Sequence, residues 1–183
     1  MLFQYETERT YLKILNSQDY RLVLDFLLKN GLYYESFETK KAKNYYTAEF
    51  WQNFLTYEYE LMQKGLALRF YIFLKEDPSH IIGTVSFQHI TKGPFPSCQI
   101  GYKFDPSYQH LGLATESIRE AIKIVALEFG ICQIHAFIMN GNIPSISLIK
   151  RLGFQYNGIS KKHAKIMEIW KDHLQFSLTF VYQ

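Results

Sequence analysis

A chain of 183 residues, 48% apolar and 20% charged, has the balance of a globular protein and enough length to bury a core. Its net charge of +3 suits an anionic ligand and is too small to imply nucleic acid. No apolar run reaches a membrane span, the N-terminus lacks the basic-then-apolar form of a signal peptide, and Cys98 and Cys132 have no metal-ligand spacing, so residues 1–183 are expected to form a single cytoplasmic domain with reduced thiols, no metal and no membrane contact.

The alternation in TYLKIL (10–15) predicts a strand. NSQDYRLVLDFLLKN (16–30) sets a cap-type Asn or Ser before apolar residues at helical spacing, and Asn30-Gly31 reads as its stop. YYTAEFWQNFLTYEYELMQKG (45–65) predicts a second helix, capped around Thr47 and closed by Gly65. LRFYIFLK (68–75) and HIIGTVSFQHI (80–90), short β-branched and aromatic runs about Glu76-Asp77-Pro78, predict a hairpin. SCQIGYKFD (97–105) is a further strand, followed by a helix from about 113 to 129 and a strand CQIHAFIM (132–139). A short helix, IPSISLIKRLGF (143–154), stops at Gly153, and FQYNGISKKHAKIM and IWKDHLQFSLTFVY read as two final strands. With no repeat or linker, the order β–α–α–β–β–β–α–β–α–β–β defines an α/β domain with a mixed sheet.

The turn SYQHLGLATESI (107–118) starts its helix behind a glycine, without the usual Ser, Thr or Asp cap. Such a start leaves the first N–H groups and the positive end of the helix dipole available to an anion, and Gly112 permits close backbone approach. A tight strand-to-helix turn would read the same way. No Lys-Ser/Thr follows, as a Walker loop requires, and two of the three dinucleotide-motif glycines are missing.

Gln109-x-x-Gly112-x-Ala114 resembles the Q/R-x-x-G-x-G/A pyrophosphate loop of the GNAT N-acetyltransferases. ILNSQDYRLVLDFLLKN, IIGTVSF, IGYKFDPSYQHLGLATESI, NIPSISLIKRLGF and WKDHLQFSL are similar, in order and spacing, to its RimJ/RimL branch, which includes enzymes that acetylate ribosomal-protein N-termini. The resemblance implies a central mixed, mostly antiparallel sheet, about four helices packed on both faces, and strands splayed at an acetyl-CoA site. It implies that Gln109, His110, Leu111, Gly112, Leu113, Ala114 and Thr115 hold the pyrophosphate. Tyr102 and Phe104 would offer backbone groups to the pantetheine arm, which enters the gap like an added strand.

Acetyl transfer to an amine needs a neutral amine, a polarised thioester and a proton for the leaving thiolate. Asn142 and Ser145 match the family's N-x-x-S, in which the Asn holds the pantetheine arm and the Ser lies near the sulfur as a candidate acid. Asn142 and Pro144 also suit an ordinary helix start. The strand carboxylate that some members use as a base is matched by Gln99, which cannot take a proton. In the segment after LGF, His163 is the candidate base, ahead of Glu168 and Asp172; Asp172 and His173 can instead form a structural pair. Cys98, near the cofactor strand, has no visible activating base, which disfavours an acyl-cysteine route.

GLYYESFETKKAKNYYTAEFW (31–51) interleaves tyrosines with lysines, and can serve as packing, as one wall of an acceptor site or, least, as a nucleic-acid surface. The resemblance implies direct transfer to a protein or peptide N-terminal α-amine. A small-molecule amine is the enzymatic alternative, favoured for cationic acceptors by Glu35 and Glu38, and a non-catalytic acyl-CoA-binding domain is the other. Monomer and homodimer are equally compatible.

Overall fold

The computed structural model describes residues 1–180. Strands β1 (Gln4–Glu6) and β2 (Thr10–Lys13) precede helices α1 (Tyr20–Tyr34) and α2 (Ala48–Gln63). Strands β3 (Leu68–Leu74), β4 (Gly83–Gln88) and β5 (Ser97–Phe104) lead to α3 (Leu113–Phe129), β6 (Gln133–Met139) and α4 (Ile143–Arg151), and the hairpin β7 (Gln155–Ile166) and β8 (Ile169–Thr179) closes the fold. The sheet has eight strands in the order β1-β2-β3-β4-β5-β6-β8-β7. Every neighbouring pair is antiparallel except β5 and β6.

Successive side chains of a strand point to opposite faces, so each buried strand feeds two cores. On β3, Phe70 and Ile72 pack with Ile118 of α3 and Ile149 of α4, whereas Tyr71 and Phe73 pack with Phe26 of α1 and Trp51 of α2. Phe70 and Ile72 are fully buried, each stabilising the fold by about 1.5–3 kcal/mol relative to exposure. Two helices therefore cover each face, as expected.

The parallel pair is brief. β5 and β6 share a register only over Ser97–Gln99 and Gln133–His135, and then part. Asp105 N–H donates to Ile82 O on the other side of β5, so by alternation the backbone groups of Ile100, Tyr102 and Phe104 point into the gap.

Three local features differ from expectation. The three-residue β1 is too short to show periodicity; it is held instead by Tyr5, whose hydroxyl donates to Glu128. Asn30-Gly31 does not stop α1, because Asn30 is buried and its amide turns back to donate to Phe26 O at 2.9 Å, so the helix continues to Tyr34. The last strand ends at Thr179, and Val181 and Tyr182, which the sequence placed in it, lie outside the described residues. Thr47 does cap α2, accepting from Phe50 N–H at 3.2 Å, and Gly65 follows the helix at φ +67°.

Gly83 of β4, across β5 from the gap, is the tightest glycine among the described residues: a Cβ there would lie 2.5 Å from Phe104 Cδ1 and 2.9 Å from the Lys103 carbonyl oxygen. Gly83→Ala should cost about 1–3 kcal/mol through overpacking, read as a lower urea midpoint with an unchanged m-value.

Candidate active site

Helix α3 starts without a side-chain cap, on Gly112 in the left-handed region at φ +79°. Two residues earlier His110 also has a positive φ, +62°, a conformation uncommon outside glycine and one the sequence did not signal. The loop is tied down at several points. Asp105 Oδ1 accepts from Ser107 N–H at 2.9 Å, and its Oδ2 lies 2.7 Å from Lys29 Nζ. Gln109 Nε2 donates to Tyr33 Oη at 2.8 Å. Arg9 donates to the Leu111 carbonyl at 3.0 Å and pairs with Glu116, in the first turn of α3, at 2.6 Å. Glu116 thus carries its negative charge at the helix start already neutralised.

The loop opens on a cleft of about 740 Å³ that runs through the gap between β5 and β6. Of the residues singled out from the sequence, Tyr102, Phe104, Gln109, His110, Gly112, Ala114, Thr115, Asn142 and Ser145 all line it. Leu113 turns its side chain into the core instead, and the Leu111 side chain is exposed. Arg151 also lines the cleft, where its guanidinium donates to Thr115 Oγ1 at 3.4 Å. The sequence presented it only as a favourable cation at the end of α4.

Asn142 caps α4, its Oδ1 accepting from Ser145 N–H at 3.2 Å. Ser145 Oγ lies 2.8 Å from Tyr102 Oη, which also reaches the Ser145 carbonyl at 3.2 Å. The Tyr102 side chain thus adds a hydroxyl contact where sequence reasoning foresaw only its backbone. Burial pushes its phenol up to about 12, so it stays a neutral donor. Cys98 is buried in β5 and burial raises its thiol to about 12 as well, which removes the thiolate an acyl-cysteine would need.

On the opposite face of the sheet, Glu38 and Lys103 line the cleft and pair with each other, and Glu38 Oε2 also meets Lys41 Nζ at 2.6 Å. Burial alone would raise the Glu38 carboxyl, but Lys103 and Lys41 outweigh it and hold it below the usual range. Burial lowers Lys103, with Glu38 opposing. Glu35 is exposed and does not reach the cleft. Tyr34 donates from its hydroxyl to the Phe104 carbonyl, covering one of the backbone groups that face the gap. The 31–51 segment both packs and walls: Tyr45 stacks edge-on against Trp51 at 5.3 Å, while Tyr34 and Glu38 face the cleft.

His163 is set back from the cleft, stacked on Phe137 with centroids 4.3 Å apart, its Nδ1 3.1 Å from Ser160 Oγ. His173 lines the cleft. Asp172 and His173 do not form the expected pair: neighbouring strand side chains point to opposite faces, and Asp172 Oδ1 accepts from Lys162 N–H at 2.8 Å at the bulge in β7. Glu168 sits at the hairpin turn, bound to Lys165 at 2.7 Å. Among the described residues no group of three His, Cys, Asp or Glu could hold a metal ion, and no helix is long and apolar enough to cross a membrane.

A parted parallel strand pair, facing an uncapped helix start and crossed by paired hydroxyls, is the arrangement of an acyltransferase that takes its acyl group from a long anionic carrier. The chain belongs to the GNAT acetyltransferase family, whose acetyltransferase (GNAT) domain it matches over residues 9–155, and it is an N-acetyltransferase. It is 31% identical over 163 residues to the probable N-acetyltransferase YjcK of Bacillus subtilis, covering 89% of this chain and 90% of that protein. It is 28% identical over 173 residues to the ribosomal protein uS5-alanine N-acetyltransferase of Escherichia coli, covering 94% and 89%. The ribosomal-protein-S5-alanine acetyltransferase of Vibrio fischeri superposes with a TM-score of 0.91 at 28% identity, covering 96% of each chain.

Glu116 gives the site a measurable acid sensitivity. Burial alone would raise its carboxyl, but hydrogen bonds from Thr7 and Arg9 and the Arg9 charge hold it below the usual carboxylate range. A carboxyl depressed on folding contributes stability that is complete above its unfolded value and disappears as pH falls through the folded one. In chemical denaturation from roughly pH 5 to pH 3, Glu116→Gln should lose stability less steeply than the wild type.

Proposed function

We propose that the chain transfers acetyl from acetyl-CoA to the α-amine of a protein or peptide N-terminus, as a single domain in the cytoplasm and by direct attack of the amine. The observation that carries this reading is the free start of α3 opening into the β5–β6 gap. The backbone N–H groups from His110 to Thr115 receive the pyrophosphate, the Gln109 N–H being held by the Pro106 carbonyl, with Arg151 as a neighbouring cation. The gap-facing groups of Tyr102, the N–H of Phe104 and the side chain of Asn142 hold the pantetheine arm. Acetyl-CoA supplies the activated carbonyl and the thiolate leaving group. Ser145, hydrogen-bonded to Tyr102, donates the proton that the thiolate requires.

The α-amine acceptor is supported from two sides. Two of the relatives are named for acetylating an alanine of ribosomal protein uS5 or S5. Chemically, an α-amine of pKa about 7.7–8.0 is already roughly a quarter to a third neutral near pH 7.5, whereas a lysine at about 10.4 is only about 0.1% neutral. The acceptor side also carries two ammonium groups, Lys41 and Lys103, against the single carboxylate Glu38, which opposes a polyamine.

Saturating acetyl-CoA, at about a hundred times its Kd, should stabilise the protein by about 2.7 kcal/mol, a Tm rise of roughly 5–10 °C. Peptides with a free N-terminal alanine should then release CoA faster than their N-blocked, lysine-containing forms or spermidine. Ser145→Ala should keep the thermal shift and lose about 10²-fold in kcat. A folded wild type unmoved by millimolar acetyl-CoA would overturn the donor site; turnover of spermidine alone would overturn the acceptor class.

A further inference from the structure

The cleft has a proton donor on one face and, on the other, a histidine that the sequence offered only as a structural partner of Asp172. His173 lies on β8 opposite Met139 of β6 and Ser160 of β7, with only 6% of its surface exposed. Its neighbours Leu174 and Phe176 fix the facing: Phe176 is buried in the core beneath α3 and α4 and Leu174 packs against it, so His173 projects to the α1–α2 face with Lys103 and Glu38. Its Nδ1 lies 3.2 Å from the Lys171 carbonyl oxygen. A carbonyl can only accept, so Nδ1 carries the hydrogen, and the neutral ring has its lone pair on Nε2. That nitrogen has no hydrogen-bond partner among the described residues and is not sealed from solvent, on a ring that lines the cleft.

We infer that His173 Nε2 is the group that receives the proton from the acceptor amine. The inference rests on the transfer reaction proposed above and supplies the base that Gln99 cannot be. The amine nitrogen forms a bond to the acetyl carbonyl carbon as the C–S bond breaks and its electron pair leaves on sulfur. One N–H proton passes to His173 Nε2 and on to solvent. The sulfur takes a proton from Ser145, which solvent replaces. The carbonyl of Lys171 holds the ring in one tautomer, and His163, whose ring centroid is 4.8 Å away, packs beside it. The other charged or titratable groups that line the cleft are Lys103 paired with Glu38, Tyr34 bonded to the Phe104 carbonyl, Tyr102 on the far face, Tyr33 bonded to Gln109, Tyr108 bonded to His80, Arg151 near the loop, and His110 in the loop itself. Of these only His110 is a second imidazole, and it belongs to the turn assigned above to the pyrophosphate, not to the acceptor face.

His173→Asn is the informative variant, because its amide can still donate to the Lys171 carbonyl while lacking the basic nitrogen. Steady-state kinetics should show kcat with an alanine-terminated peptide lowered about 10²-fold near pH 7, with the acetyl-CoA thermal shift retained. The deficit should shrink as pH rises through the amine's own ionisation, about 7.7–8.0. The wild-type acid limb should contain an ionisation that the variant lacks, and added imidazole should restore part of the rate to His173→Ala. A His173→Asn enzyme within twofold of wild type at all pH values would overturn the assignment, as would a uniform loss with an unchanged pH profile and no imidazole rescue. If His173→Asn does not fold, His173→Gln is read by the same profile. Failure of the wild type itself to release CoA with any peptide would instead remove the reaction on which the inference rests.

Discussion

The site depends on a ladder that is left unfinished. In a closed sheet the backbone groups of β5 beyond Gln99 would pair with β6; here the strands part and those groups must find another partner, because an unpaired buried peptide group is costly. The chain covers only part of the need. Tyr34 takes the Phe104 carbonyl, and Asn142 N–H takes the Met139 carbonyl across the mouth of the gap. Both partners belong to segments that wall the cleft. What remains is a strand edge inside the molecule, open to the cleft and shielded from edge-to-edge pairing with another protein.

The same strand separates the chemistry into two faces. Even-numbered β5 side chains lie over α3 and α4, which brings Tyr102 to Ser145. Odd-numbered ones lie beneath α1 and α2, which brings Lys103 to Glu38. A thioester lying in the plane of the sheet would present its sulfur to hydroxyls on one side and its carbonyl to an amine arriving from the other. The N-terminal segment contributes from outside this division. Arg9 ties the Leu111 carbonyl and Glu116 together, so the turn before α3 is braced by a residue just ahead of β2. Its guanidinium also keeps the acidic first turn of α3 from opposing an incoming anion.

Much of this was legible in the residues because it depends on local rules. The uncapped glycine start of α3, the Asn142 cap and the Thr47 cap are each set by a few adjacent positions, and each appears as read. The parting of β5 from β6 came from the family resemblance alone, since nothing in SCQIGYKFD or CQIHAFIM marks where two parallel strands separate. What stayed hidden depends on partners far along the chain. Asn30 looks like a helix stop until the side chain is seen turning back on Phe26. Arg151 looks like an ordinary C-terminal cation until α4 is placed beside Thr115. His163 and His173 are ten positions apart on the two strands of one hairpin, and bulges in β7 shift the register between them. Strand alternation says that the side chains of Asp172 and His173 diverge, but not which one enters the cleft.

Electrostatics narrows what the acceptor side can welcome. A half-buried ammonium such as Lys103 is stabilised by Glu38, and the carboxylate is in turn shared with Lys41, so the cluster is saturated internally and retains an excess positive charge. An incoming cation would have to displace a lysine from Glu38, whereas a neutral amine has no such cost. For the transfer reaction proposed above, that would select the acceptor by protonation state before any side chain is read, in favour of amines that ionise near neutrality over those that stay charged until about pH 10. The base at this site then need not deprotonate an ammonium. The task left is removal of one proton after the new bond begins to form, which a neutral imidazole facing the cleft can perform and which a carboxylate at the position of Gln99 would do at the expense of attracting the wrong, charged form of the acceptor.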